Sequence, residues 1–230
     1  MKNTMKMSAA VLIIAIIAIL VTIGCASKPR VRVVELENKG TALGVSAPDW
    51  IKIYTANGIN RVQALPEFRD KYCIIGEETG VNKQFVLAWA DSFSAQQRLG
   101  MMLRTTIASE YQAKVQGQAQ SVGVATPAAS ESTYQQAIDS TINSIVNVSY
   151  SGAQRESDWW SLRRRYDPDV KDAYNDEYSA YVLYTIPKSL LNEQVARALE
   201  TSVSRDSALY DVTIDLAKQI LTSGMANWGE

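Results

Sequence analysis

The first 25 residues constrain this chain more than any other stretch. Lys2 and Lys6 precede an uncharged apolar run from Ala9 to Val21, and the run closes on Thr22-Ile23-Gly24-Cys25. A basic start, a short apolar segment and a small residue at its end are typical of a secretory signal peptide. In isolation, the run is also just long enough to span a bilayer.

The dipeptide Gly24-Cys25 favours one of these interpretations. It resembles a bacterial lipobox, in which the cysteine thiol receives a diacylglyceryl group and becomes the mature N-terminus. We therefore expect lipidation at Cys25, and the alternative is an uncleaved membrane helix with an incidental cysteine. Either way the rest of the chain lies outside the cytoplasm and is held at a membrane. A lipoprotein with three acyl chains is held stably, since two or more chains suffice.

Composition predicts an ordinary globular remainder. About two hundred residues follow the leader, enough for one or at most two domains. The chain has 23 basic and 24 acidic residues, and without Lys2 and Lys6 the balance is 21 to 24, about minus three. This charge gives no electrostatic case for a nucleic-acid partner.

The chain has no histidine and two cysteines. The missing histidine excludes Ser-His-Asp and Cys-His nucleophiles and His-ligated zinc. A run from Asp167 begins like a calcium loop, but Asp172 stands where the loop needs glycine. We therefore predict no enzyme activity, no metal and no cofactor. Cys73, in an apolar strand, is interpreted as a core thiol, with a reactive thiol as the alternative.

Hydrophobic periodicity predicts the main elements. A strand is expected at residues 72–77, and a long helix at residues 83–115. Further predicted elements are a helix at 132–144, strands at 145–150 (extending to Trp159-Trp160) and 178–186, and helices from 188 to 201 and from 207 to 221. The apolar stripe of the long helix is expected to contain Phe85, Trp89, Phe93, Leu99, Leu103, Ile107 and Tyr111.

These elements predict an α+β fold, in which a small antiparallel sheet of about three main strands packs against the long helix. The expected organisation is a signal peptide (1–24), a tether leading into a short strand (25–41), an α+β domain (42–203) and a C-terminal helical extension (204–230).

The segment from Ser157 to Tyr166 is the main candidate for an interaction site. Tryptophan and arginine are favoured interface anchors, and this segment contains Trp159, Trp160, Arg163, Arg164 and Arg165. The alternative is a hairpin whose inward tryptophan packs on the helix while the arginines are solvated.

Trp50 is a second candidate, which either caps the core or stacks on a ligand. A small-ligand or glycan site that uses Trp50, Trp159 and Tyr181 remains the alternative function.

The order of motifs resembles the LPP20-type bacterial lipoprotein family over residues 47–199. The resemblance rests on Pro48-Asp49-Trp50, the strand Cys73-Ile74-Ile75-Gly76-Glu77, the helix start Phe85-Val86-Leu87-Ala88-Trp89-Ala90 and the late strand Ala180-Tyr181-Val182-Leu183-Tyr184. It implies a dodecin-like domain, with a helix on a three-stranded antiparallel sheet and no established catalytic chemistry.

The resemblance further implies a lipoprotein of the bacterial envelope, with relatives in flagellar and outer-envelope assemblies. The expected function is a non-enzymatic structural or protein-interaction module that is anchored to the membrane by lipid. The candidate partners are an envelope or flagellar protein and a second copy of the chain. Ala26 favours the outer membrane, because an aspartate after the cysteine retains many lipoproteins at the inner membrane.

Overall fold

The computed structural model describes residues 31–122, 139, 143, 152–170, 172–205, 210–225 and 228. The leader and Cys25 lie outside the described residues. So do the predicted strand at 145–150 and the predicted helix at 132–144, apart from the helical residues Asp139 and Asn143.

The predicted α+β class is confirmed. In the described residues an antiparallel sheet of four strands has the order β1-β3-β4-β2. Its strand count exceeds the expected three because the short strand after the tether joins the sheet at one edge. The strands are β1 (Val33–Asn38), β2 (Lys71–Gly80), β3 (Gln154–Tyr166) and β4 (Tyr174–Pro187).

Strand β4 lies between β3 and β2, which explains its continuous apolar sequence. It pairs with β2 in antiparallel register from Lys71 opposite Pro187 to Gly80 opposite Tyr178. All eight of its residues from 179 to 186 are buried, including Ser179 and Thr185. A strand buried on both faces shows no polar alternation.

Helices surround this sheet. Asp49 lies in the first turn of its helix and Pro48 occupies the cap position, without a side-chain hydrogen bond. Besides a 3₁₀ turn at Pro66–Phe68, the described helices are α1 (Lys39–Leu43), α2 (Asp49–Asn57), α3 (Ile59–Gln63), α4 (Lys83–Trp89), α5 (Ala95–Val122), α6 (Lys188–Ser202) and α7 (Tyr210–Ser223).

The predicted long helix exists, but a π-helical turn at Ala90–Ser94 joins α4 to α5. A π turn accommodates one extra residue. Each residue before the turn therefore lies about 100° away from the position that an uninterrupted α-helix of the same sequence would give it. The buried positions show the shift, because their spacing of four is interrupted by one step of five. They are Val86, Ala90, Ala95, Leu99, Leu103, Ile107 and Tyr111.

The predicted apolar stripe is therefore wrong in its first half. Leu99, Leu103, Ile107 and Tyr111 are buried as expected. Phe85, Trp89 and Phe93 are instead 57%, 38% and 48% exposed. The π turn places them away from the core, and the smaller Val86 and Ala90 take their place against the sheet.

The close approach of this turn depends on Gly76. A Cβ atom on Gly76 would lie 2.0 Å from the carbonyl oxygen of Ala90 and 3.0 Å from the amide nitrogen of Ala95. Only a glycine leaves room for backbone at that distance. The hydroxyl of Ser94 also donates to the carbonyl of Glu77 at 2.9 Å, which fixes the turn to the edge of β2.

The C-terminal residues belong to the same core. Helix α7 has an apolar face whose Val212, Leu216 and Ile220 are buried. Beyond it, the Trp228 ring lies 4.5 Å from the Tyr72 ring, and its indole N–H donates to the carbonyl of Cys73 at 3.3 Å.

By their contacts, the described residues form two units. The small one contains residues 31–33, 165–170 and 172–175, and the large one contains the rest. Within the small unit, the amide of Tyr166 donates to the carbonyl of Arg32 at 2.9 Å, and the Arg32 guanidinium lies over the Tyr166 ring. Both clefts and the exposed aromatic surface considered below lie within the large unit.

Candidate functional site

The three candidate tryptophans are packed in the core, so their assignment to an interaction surface is corrected. Trp50, Trp159 and Trp160 are 5%, 6% and 5% exposed. None of them offers a face on which a sugar ring or a partner protein could stack. Their burial agrees with the alternative interpretation from the sequence. In that interpretation, Trp50 caps the core and the hairpin tryptophan points inward.

Each of these rings has a specific neighbour. The Trp50 indole N–H donates to the Ser157 hydroxyl at 2.6 Å, and the Lys83 ammonium lies 4.1 Å from the centre of the Trp160 ring. A Cβ on Gly40 would come within 3.0 Å of the Trp159 ring.

The three arginines of the segment have different environments. Arg164 binds Asp176 on the next strand through two hydrogen bonds of 2.8 Å, and this guanidinium lowers the pKa of the Asp176 carboxyl group. Arg165 is exposed and belongs to the small unit. Arg163 is half-buried and lines a cleft. The segment is therefore not one continuous interaction patch.

The cleft beside Arg163, called the Tyr–Arg cleft below, has a volume of about 320 Å³. Gly58, between α2 and α3, lies at its wall with a positive φ of 78°. Its chemically distinctive side chains are Tyr54 from α2, Glu77 from β2, Arg98 from α5, Arg163 from β3 and Tyr181 from β4.

Tyr54 is the centre of the hydrogen bonds in this cleft. Its hydroxyl donates to Glu77 Oε2 at 2.8 Å and accepts from Arg98 Nη2 at 3.2 Å. The Tyr54 and Tyr181 rings meet edge to face at 5.9 Å, and Arg163 lines the same cleft. Burial, followed by the hydrogen bond to Glu77, raises the pKa of Tyr54. Tyr54 therefore acts as a neutral donor to Glu77.

Sequence reasoning named Arg163 and Tyr181 but missed Tyr54 and Arg98, and it did not connect Glu77 with any of them. These five residues come from five different elements, so no local spacing connects them. The turn glycine Gly58 was the only local signal near the site.

The second notable surface is a row of exposed aromatic rings on α4 and the π turn, called the aromatic row. It consists of Phe85, Trp89 and Phe93, whose ring centres follow one another at 5.3 Å and 4.6 Å. Between residues 84 and 97 the only charged residue is Asp91. Asp91 is paired with Arg155 at 2.8 Å and accepts a hydrogen bond from the Tyr184 hydroxyl at 2.7 Å.

A larger cleft of about 630 Å³ lies between α3, α6 and the end of α7. Much of its polar lining is already used by the fold. The Gln63 amide bonds the backbone of Lys71 and Cys73, and the Asn192 carbonyl accepts from the Tyr72 hydroxyl. Fewer polar groups are therefore available to bind a ligand than the volume of this cleft indicates.

Cys73 is fully buried, and burial raises the pKa of its thiol to about 12. The interpretation as a core thiol is thus confirmed. Within the described ranges, no three side chains are grouped to hold a metal ion, and none of the helices is both long and apolar enough to cross a membrane. Comparisons with protein-family models, with curated proteins and with solved structures found no match.

Proposed function

We propose that this protein is a lipid-anchored lipoprotein of the bacterial envelope that acts as a non-enzymatic interaction module and docks an envelope protein through its aromatic row. The observation that carries the proposal is the exposure of three neighbouring aromatic rings on one helical face. The order of motifs, which resembles the LPP20-type lipoproteins, supports the same assignment.

The size of the row suits a docking surface. Three half-exposed aromatic side chains present on the order of 300 Å² of apolar surface. Patches of that size on a soluble domain are often functional. Aromatic residues are also the commonest energetic anchors of protein interfaces.

A protein fits this row better than the lipid bilayer does. Asp91 lies between Trp89 and Phe93 in sequence, and its ion pair with Arg155 is partly exposed. Placing such a pair in hydrocarbon is expensive. At the rim of a protein interface it remains hydrated, as polar rims do.

The proposed anchor would keep this surface near the bilayer. Cys25 and Val34, the first residue of the large unit, are nine residues apart. Nine residues span at most roughly 30 Å. Partners of the aromatic row are therefore sought among proteins close to the membrane surface, and Ala26 favours the outer membrane.

Metabolic labelling with a palmitate analogue tests the anchor. The wild-type chain should incorporate the label, and Cys25→Ala should lose it. Cys73→Ala is the matched control and should keep the label. On a density gradient, the labelled protein should sediment with the outer membrane. A wild-type chain without label would contradict the lipid anchor.

Site-specific photocrosslinking in cells tests the docking surface. A benzoyl-phenylalanine placed at Phe93 or at Phe85 should capture the same envelope protein. The control position is Leu43, which is 64% exposed on α1 and should not capture it. Crosslinks only to lipid, or only to a second copy of this chain, would contradict the proposed partner.

A further inference from the structure

Several arginines of the described residues are neutralised by carboxylates. Arg155 pairs with Asp91 and with Asp158, and Arg164 forms a two-bond pair with Asp176. On helix surfaces, Arg104 pairs with Asp139 and Arg197 with Glu193.

The two arginines of the Tyr–Arg cleft differ. Within the described part of the chain, neither Arg98 nor Arg163 forms an ion pair with a carboxylate. Arg98 donates to the Tyr54 hydroxyl at 3.2 Å, and Arg163 lines the cleft together with Tyr181. A tyrosine orients a guanidinium group without neutralising its charge.

The charge balance of the cleft is therefore positive. Its lining contains two guanidinium groups and one carboxylate, that of Glu77. Glu77 is exposed and already accepts the Tyr54 hydroxyl. Both arginines are half-buried, so water screens their charge less than it would on an open surface.

We infer that the Tyr–Arg cleft binds a small oxyanion, a carboxylate or a phosphate, through Arg98 and Arg163. Guanidinium groups have a planar fork of donors that matches both of these anions. The Tyr54 hydroxyl holds the fork of Arg98 in place before the ligand arrives, which reduces the entropy lost on binding.

The cleft also limits the size and the functional groups of the rest of the ligand. A volume of about 320 Å³ is at the lower end of small-molecule sites and excludes a long polymer from the cleft itself. Glu77 at the exposed side accepts hydrogen bonds, so it suits a hydroxyl or amino group on the ligand. The fitting class is a small hydroxylated or amino-bearing acid, or the phosphate ester of such a molecule.

Equilibrium dialysis of the full-length protein in detergent tests this inference. The probes are inorganic phosphate and succinate, offered separately at constant ionic strength. At least one should bind saturably at a single site, and the one that binds better identifies the anionic group. If neither binds saturably in the millimolar range, the inference is overturned.

Variants assign the binding to the two arginines. Arg163→Gln and Arg98→Gln should each weaken it at least about tenfold, since a hydrogen bond to a charged group is lost. Arg197→Gln removes an exposed arginine on α6 and should leave binding unchanged. Wild-type affinity in both cleft variants would overturn the inference.

Arg98→Lys provides a second readout if Arg98→Gln does not fold. Lysine keeps the charge and loses the planar fork, so the affinity for the anion should fall. Cooperative thermal unfolding of this variant would show that it is still folded. These measurements involve neither Cys25 nor the aromatic row. A lack of anion binding would therefore not affect the proposed anchor and docking surface. A failure of the anchor or docking experiments would likewise not affect the inferred anion site.

Discussion

Gly76 shows how one missing side chain controls a neighbouring element. The Ala90 carbonyl oxygen occupies the space that any Cβ at this position would need. We expect Gly76→Ala to lower the free energy of unfolding by about 3 kcal/mol, because backbone atoms must move to admit the methyl group. Denaturant unfolding measures this loss.

Gly80 on the same strand is the matched control for this substitution. Its Cβ would meet only the Cγ2 methyl group of Val86, at 3.1 Å. Gly80→Ala should therefore cost less than about 1 kcal/mol. Equal losses in the two variants would argue against the role assigned to Gly76.

Glu156 makes the free energy of unfolding depend on pH in the acid range. The Lys71 ammonium and then the Thr185 hydroxyl, at 2.6 Å, donate to its carboxylate and lower the pKa of Glu156 from 4.5. Its contribution is therefore fully present above pH 4.5 and disappears as the pH falls through the lower folded-state value.

This linkage has a direct test. Glu156→Gln should be less stable than the wild type at pH 7, and the difference should shrink as the pH falls below 4.5. Unfolding free energies measured from pH 7 downward give this difference. Glu200→Gln, at an exposed site on α6, is the control. A difference between wild type and Glu156→Gln that stays constant across this range would count against the linkage.

Among the elements, the edge strand β2 is protected by a side chain. The Gln63 amide donates to the Lys71 carbonyl at 2.6 Å and accepts from the Cys73 N–H at 2.8 Å, as a neighbouring strand would do. The Trp228 indole covers the Cys73 carbonyl. Protected edges resist strand addition from other chains.

Gln63→Ala should expose these groups. We expect a loss of about 2 kcal/mol in unfolding free energy, because two backbone groups lose their partners. Amide hydrogen exchange should accelerate at Cys73. Gln97→Ala, at an exposed position of α5, should change neither quantity. Unchanged exchange at Cys73 in Gln63→Ala would show that its amide is protected by something else.

At the scale of the whole large unit, the C-terminal residues help to hold the sheet. Trp228 contacts Tyr72, and the Tyr72 hydroxyl bonds both Asn192 and the amide of Met225. Trp228→Ala should lower unfolding free energy by about 3 to 5 kcal/mol within one cooperative transition. Calorimetry measures both quantities.

Leu221→Ala, at a half-exposed site on α7, is the control for Trp228 and should cost little. If residues 204–230 behaved as an independent extension, Trp228→Ala would leave the main transition unchanged.

The sequence predicted those features that repeat along the chain. The α+β class, β4 and the second half of the long helix follow from periodicity, as Leu99, Leu103 and Ile107 illustrate. The π turn does not follow from periodicity, because it packs closely against Gly76, which is remote in sequence. The Tyr–Arg cleft has the same difficulty, since Tyr54 and Arg98 meet only after folding.

The π turn also has a consequence for how this surface can change over generations. Loss of one codon between Ala90 and Ser94 would convert the π turn into a regular α-helical turn and make the spacing of the buried positions four throughout, so Phe85 and Trp89 would stay on the exposed side. A one-residue deletion in the α-helical part before or after the turn would instead rotate one part of the helix by about 100° relative to the other. Homologous genes that lack one codon within this turn should therefore still encode a helix with Phe85 and Trp89 on its exposed face.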